Sequence, residues 1–167
     1  MFVIYNLFLF LIILISPLIV LIRIFLGKED QNRFKEKYGF FPKKNKPNET
    51  IWIHGASVGE ILSIIPIVRK FEKDKRIKRI LITSSTTSSS HILSKFKFKK
   101  TVHQFYPFDL NFLTKHFINH WKPKLAIFVD SEIWPNMFNN LHKKNIPIIL
   151  LNARITKKSF NRWKFFP

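Results

Sequence analysis

The chain contains no cysteine, which excludes disulfides, zinc-thiolate sites and a cysteine nucleophile. That absence does not fix its compartment. Glycine is scarce as well, with only Gly27, Gly39, Gly55 and Gly59. Neither G-x-G-x-x-G nor G-x-x-x-x-G-K-[ST] occurs, so neither a dinucleotide fingerprint nor a P-loop is expected. Acidic residues number 10 against 29 Lys and Arg, a formal charge of +19. Such an excess says little about fold but predicts attraction to polyanions: nucleic acid, an anionic membrane or phosphorylated ligands. No helix-turn-helix or aromatic-basic strand pattern accompanies the charge, so nucleic acid is not the expected partner. A length of 167 residues suits one domain of ordinary size and would cramp a second.

What the chain does have is a long apolar start. From Phe2 to Leu26 only Asn6, Ser16, Pro17 and Arg23 interrupt the run, and about 20 apolar residues suffice to cross a hydrocarbon core as a helix. No basic segment precedes it and no small-residue cleavage site follows, which argues against a cleaved signal peptide. Lys28, Arg33, Lys35 and Lys37 follow instead, and positive flanks tend to stay cytoplasmic. Residues 1–27 are therefore expected to be an uncleaved anchor, with the rest of the chain at the cytoplasmic face of the membrane. Pro17 removes a hydrogen bond from the middle of the run, which leaves open whether the segment spans the bilayer or dips into it.

Residues 28–50 are polar and punctuated by Gly39, Pro42 and Pro47. They read as a basic linker with a short helix around Arg33 to Tyr38. Beyond it, apolar strand-like runs at Ile51–His54, Arg79–Thr83, Val102–Tyr106, Leu125–Val129 and Ile146–Leu151 alternate with helix-length segments. Those segments lie at Val58–Lys73, Ser88–Lys97, Leu110–Trp121 and Ile133–Lys143. The alternation predicts βαβ units and a Rossmann-like parallel sheet over 51–167, an α/β fold preceded by the membrane-anchor helix. The terminal Phe165-Phe166-Pro167 reads as an interruption, where a second domain would begin.

Loops at the carboxyl ends of parallel strands line the ligand crevice of such a sheet. The first, His54-Gly55-Ala56-Ser57-Val58-Gly59-Glu60, delivers a carboxylate where a helical pattern begins. Glu60 is thus a candidate catalytic group, although a carboxylate there also favours the helix dipole and caps the helix. The second, Thr83 to Ser90, offers hydroxyls and backbone N–H groups to phosphate or sugar, or simply N-caps. The fourth, Asp130-Ser131-Glu132-Ile133-Trp134-Pro135-Asn136, sets two carboxylates beside a tryptophan, able to orient a polyol or support a base. Asn152-Ala153-Arg154 follows the last strand in the equivalent place. Of the six histidines, His54 sits beside the Gly-Glu loop, while His103, His116, His120 and His142 fall in segments suited to surface or core. No metal site and no cofactor are expected.

Taken together, these motifs resemble the 3-deoxy-D-manno-octulosonic acid (Kdo) transferases of lipid A synthesis. The resemblance rests on the apolar start, Arg33 to Gly39, the Ser-Val-Gly-Glu ending at Glu60, and the Thr/Ser loop. It continues through Tyr106-Pro107-Phe108-Asp109, Trp121-Lys122-Pro123-Lys124, Glu132-Ile133-Trp134-Pro135-Asn136 and Asn152-Ala153-Arg154. It covers essentially the whole chain and implies the N-terminal half of an inverting GT-B glycosyltransferase, transferring Kdo from CMP-Kdo to the lipid A precursor. Glu60 would be the general base. Ser57, Gly59, Thr83, Thr86, Asp130, Glu132 and Arg154 would bind the acceptor. CMP-Kdo would be held by a C-terminal donor domain, which the family's greater length suggests is missing here. The rival expectation is an inactive, membrane-anchored lipid A-binding remnant. Two differences from the family stand out: Thr86-Thr87-Ser88-Ser89 replaces the usual Thr-Pro-Thr-Gly, and Asp130 stands where glutamate is usual.

Overall fold

The computed structural model describes residues 2–41, 49–130, 132–154, 157 and 161; Ser131 and the expected interruption at Phe165-Phe166-Pro167 lie outside these. After the helix α1 (Phe2–Phe25) and a short 3-10 helix (Phe34–Tyr38), strands and helices alternate: β1 (Thr50–His54), α2 (Val58–Lys73), β2 (Arg79–Ser84), α3 (Thr87–Ser94), β3 (Thr101–Phe105), α4 (Asn111–Trp121), β4 (Pro123–Val129), α5 (Pro135–Lys143) and β5 (Ile148–Leu151). All the strands pair in parallel, in the order β3-β2-β1-β4-β5. The expected Rossmann-like sheet is present. The chain winds outward from β1 to β3, then returns across β1 to lay down β4 and β5. Between β1 and β4 the winding reverses, and that switch point opens a crevice at the strands' carboxyl ends.

Both faces of the sheet are covered, so successive side chains enter two cores. On one face Trp52, Leu81, Ala126 and Phe128 pack with Phe117, Trp121 and Met137 of α4 and α5. On the other, Ile53, Ile80, Ile82, Ile127 and Val129 pack with Ile61, Ile64, Val68 and Leu93 of α2 and α3. Most element ends differ by one to three residues from the sequence reading. Thr101 rather than Val102 opens β3, β4 begins at Pro123, β5 begins at Ile148, and α3 ends at Ser94. Asn145, at φ 53, turns the chain before β5, so Ile146 packs from the loop against the aromatic core.

Two features of the N-terminal part go beyond the sequence reading. Pro17 does not break α1, which is continuous through it. Proline leaves the Ile13 carbonyl without its helical N–H, and Ser16 Oγ donates to that oxygen at 2.8 Å instead. Nor is the start of the 28–50 segment a free linker. Buried Glu29 accepts from Lys37 at 2.7 and 2.8 Å, and buried Glu36 accepts from the backbone N–H of Phe105 on β3 at 2.8 Å. Arg33 donates to Glu36, Ser90 and His103. Charged residues of this segment are paired within the fold. The 3-10 helix stops at Gly39, whose φ of 91° suits glycine and where a Cβ would come within 2.9 Å of Leu113.

Candidate active site at the switch point

The loop leaving β1 is a capping box. Ser57 Oγ accepts from the backbone N–H of Glu60 at 3.3 Å, and Glu60 reaches back to accept from Ala56 N–H at 2.8 Å and Ser57 Oγ at 2.7 Å. The reciprocal pair satisfies donors that the first turn of α2 would leave orphaned. Gly55 permits this closure, since a Cβ there would lie 3.1 Å from Glu60 Cβ. At Gly59 a Cβ would meet nothing closer than 3.9 Å, so the space in front of the loop is open. Glu60 is therefore a cap, as its position allowed, but a half-buried one. Its carboxylate retains lone pairs beyond the two bonds it accepts.

The loop leaving β4 is held differently. Asp130 adopts φ 56 and Asn152 φ 60, and Asn152 Nδ2 donates to Asp130 Oδ1 at 2.5 Å. Arg154 reaches Asn152 Oδ1 at 3.4 Å. Asp130, Glu132, Asn152 and Arg154 line a polar cleft of about 490 Å³. Glu132 accepts from Trp134 Nε1 at 3.1 Å and lies 3.7 Å from Nε2 of His54, an ion-pair distance too long for a hydrogen bond. His54 holds the Glu132 carboxyl below the ordinary glutamate range, against the opposing effect of partial burial.

His54 is fully buried, with its ring on Tyr106 at 4.1 Å and its Nδ1 2.9 Å from Thr83 Oγ1. Trp52 Nε1 can only donate, and does so to Thr83 Oγ1 at 2.9 Å. His54 Nδ1 lies 3.2 Å from the Thr83 carbonyl oxygen as well, so Thr83 grips this side of the ring through two atoms and Nε2 faces Glu132. Thr83 thus lies beneath the crevice, completely buried, and any effect it has on a ligand passes through His54.

Thr86 is the N-cap of α3, accepting from Ser89 N–H at 3.2 Å and bonding the Ser89 hydroxyl at 2.7 Å. The structure thus gathers Ser57, Gly59 and Glu60 on one loop, and Asp130, Glu132 and Arg154 on another. It leaves Thr86 at the head of α3 and Thr83 below the surface.

Sequence reasoning missed two supports. The His54–Glu132 approach joins residues far apart in the chain and leaves no local signal. Asp109 is buried and accepts from the backbone N–H groups of Asn136 and Met137, both at 2.9 Å, capping α5 from another segment. Its burial raises the carboxyl above the usual aspartate range in spite of those bonds. His116 and His120 stand one turn apart on α4, a spacing that metal pairs use. Both rings pack on Phe41, at 5.1 and 5.3 Å, and among the described residues no three His, Asp or Glu side chains gather to hold a metal ion.

The doubly wound parallel sheet places its ligand crevice at this switch point, where the carboxylates gather. Comparison with known proteins gives the family. The model of the 3-deoxy-D-manno-octulosonic-acid transferase (kdotransferase) family matches residues 32–167. The chain is 41% identical over 162 residues to the 3-deoxy-D-manno-octulosonic acid transferase of Rickettsia bellii, covering 95% of this chain and 38% of that one. It is 35% identical over 134 residues to the enzyme of that name from Haemophilus influenzae, covering 80% and 31%. A probable mitochondrial 3-deoxy-D-manno-octulosonic acid transferase of Arabidopsis thaliana is 35% identical over 137 residues, covering 82% and 31%. The chain belongs to the Kdo transferase family and spans about a third of the length of these relatives.

Proposed function

We propose that the chain is the acceptor-binding, base-carrying part of a membrane-associated, inverting GT-B glycosyltransferase that transfers Kdo from CMP-Kdo to the lipid A precursor in lipopolysaccharide synthesis. The observation that carries this reading is Glu60, an accessible carboxylate fixed by its own loop at the switch point. In the proposed step an acceptor sugar hydroxyl attacks the anomeric carbon of Kdo. The C–O bond to CMP breaks, CMP departs with the bonding pair, and Glu60 takes the hydroxyl proton. Such a base must lie within hydrogen-bond reach of the hydroxyl, and a carboxylate held on both oxygens cannot swing away from it. Ser57 and the open side of Gly59 border the same space, while Asp130, Glu132 and Arg154 would hold sugar hydroxyls and phosphate in the polar cleft. The charge of +19 suits an acceptor that carries phosphates at an anionic membrane. No cofactor or metal is assigned to the step.

Grafting this chain onto the remainder of the Rickettsia bellii relative tests the reading. The folded chimera should transfer Kdo from CMP-Kdo to lipid A precursor, and a folded but inert chimera would refute it. The 167-residue chain alone should bind precursor and transfer nothing. Fixing both reactants is worth about 7–11 kcal/mol of barrier, and the donor is expected to be held by the rest of the enzyme. Turnover by the purified chain would show that the division of labour is wrong.

A further inference from the structure

We propose that α1 lies in the plane of the membrane, bedded in one leaflet of anionic phospholipid, and does not cross the bilayer. The inference rests on the reading that the chain is membrane-associated, and goes beyond it by assigning an orientation. By length and composition Ile4–Phe25 is apolar enough to span. Its contacts argue otherwise. The less exposed positions of α1 are 5, 6, 9, 12, 13, 16, 20, 23 and 24, a single helical stripe from one end to the other. The polar residues of the run fall on that stripe and are engaged by the domain. Tyr5 donates to Asp109 Oδ2 at 2.8 Å, and Asn136 Nδ2 donates to Asn6 Oδ1 at 2.8 Å. Ser16 Oγ lies 2.9 Å from the Tyr38 hydroxyl, which donates to it because Ser16 already donates to Ile13. Arg23 donates to Glu29 at 3.2 Å.

Between Tyr5 and Arg23 the helix rises about 27 Å, close to the roughly 30 Å of a hydrocarbon core. A crossing helix would put one of those ends on the far side of the bilayer. Its partners cannot follow: Asp109 is tied to the first turn of α5, and Glu29 to the 3-10 helix through Lys37. Spanning and docking along the full length exclude each other.

The opposite face is apolar along its length, with Leu7, Phe8, Leu11, Leu14, Leu18 and Ile22 each more than half exposed. An apolar face of that extent calls for a partner. The charge beside it selects lipid: Lys28 and Lys35 are exposed near the helix end. An apolar groove of about 530 Å³ continues the face between α1 and the 3-10 helix, lined by Pro17, Leu21, Ile24, Phe34 and Phe40 together with Lys35. A groove of that lining accepts an acyl chain while the ammonium meets an anionic headgroup. Interfacial helices ordinarily turn a polar face to water; here the domain itself satisfies that face.

Because the chain has no cysteine, one cysteine placed ahead of Met1 is a unique reporter of that end. A second protein carrying Lys75→Cys, at an exposed position, reports the domain. Each is expressed in a Gram-negative host and treated with a membrane-impermeant maleimide, in intact spheroplasts and in inverted vesicles. An in-plane helix leaves both cysteines unlabelled in spheroplasts and both labelled in inverted vesicles. Labelling of the N-terminal cysteine in intact spheroplasts, with Lys75→Cys protected, would mean the helix crosses and would overturn the orientation alone. Carbonate extraction tests the underlying reading: release of the chain into the soluble fraction would overturn membrane association and the orientation with it.

Discussion

Glu60 and Glu132 follow neighbouring strands at the same switch point, yet they are held by opposite means. Glu60 is fixed by residues within four positions of itself, the N–H of Ala56 and the hydroxyl of Ser57. Glu132 is held locally by Trp134 and remotely by His54, a residue of β1 that is itself positioned by Thr83 of β2. A capping box forms wherever the local sequence supplies Ser-x-x-Glu before a helix, so Glu60 keeps its place for as long as α2 exists. Glu132 keeps its place only when three strands are in register. The first arrangement suits a group whose position must not vary; the second couples a binding group to the packing of the core.

The largest expected effect comes from the locally held residue. In an enzyme carrying this chain, Glu60→Gln should lower Kdo transfer by roughly 10²–10⁴-fold, the usual contribution of a positioned base. Stability should hardly move, because glutamine also closes a capping box. The substitution therefore separates the two roles of the side chain. Transfer rates that agree within about twofold, far below what a base contributes, would leave Glu60 as a cap only.

The remotely held residue is tested through its support. His54→Ala empties a fully buried site under Tyr106 and Phe128, and strips Thr83 of one partner. The loss should be about 2–5 kcal/mol of unfolding free energy, as for other large-to-small core changes, read by denaturant titration. A cost below about 1 kcal/mol, ordinary for a surface site, would mean that the β4 loop supports itself and the contrast with Glu60 fails.

The same contrast explains how far the sequence could be read. The strands and helices were visible because both periods are strong and both faces of the sheet are apolar; Val58–Lys73 falls where the pattern placed it. Glu60 was legible as cap or catalyst, since the motif that fixes it is contiguous. Thr83 was visible as a strand-end hydroxyl, but its burial was not, because that depends on Trp52 and His54 arriving from β1. Residues 28–50 read as a basic linker, and the charged side chains of its first part are engaged by the fold. Their partners, Phe105, Ser90 and His103, lie far along the chain, and no local pattern announces such pairing.

The smallest effect, and the finest test of the comparison, is the pH dependence that Glu132 contributes. Its carboxyl is held below the ordinary glutamate range, chiefly by His54. A folded-state value below the unfolded one means that the unfolded chain binds the proton more readily, so stability rises with pH across the interval between the two. The contribution is complete above the unfolded value of about 4.3 and is lost as pH falls through the depressed one. Glu132→Gln should remove that contribution, so the variant should be slightly the less stable near neutrality, and the stabilities of wild type and variant should draw together as the solution is acidified. His103 adds an acid sensitivity of its own. Burial and the Arg33 guanidinium lower its ring to about 3, so its contribution fades between about 6.5 and that value. That loss is common to both proteins and cancels in their difference. If the difference between wild type and Glu132→Gln stays flat from neutral to acid pH, the contact with His54 does not operate in solution, and Glu132 is held by Trp134 alone.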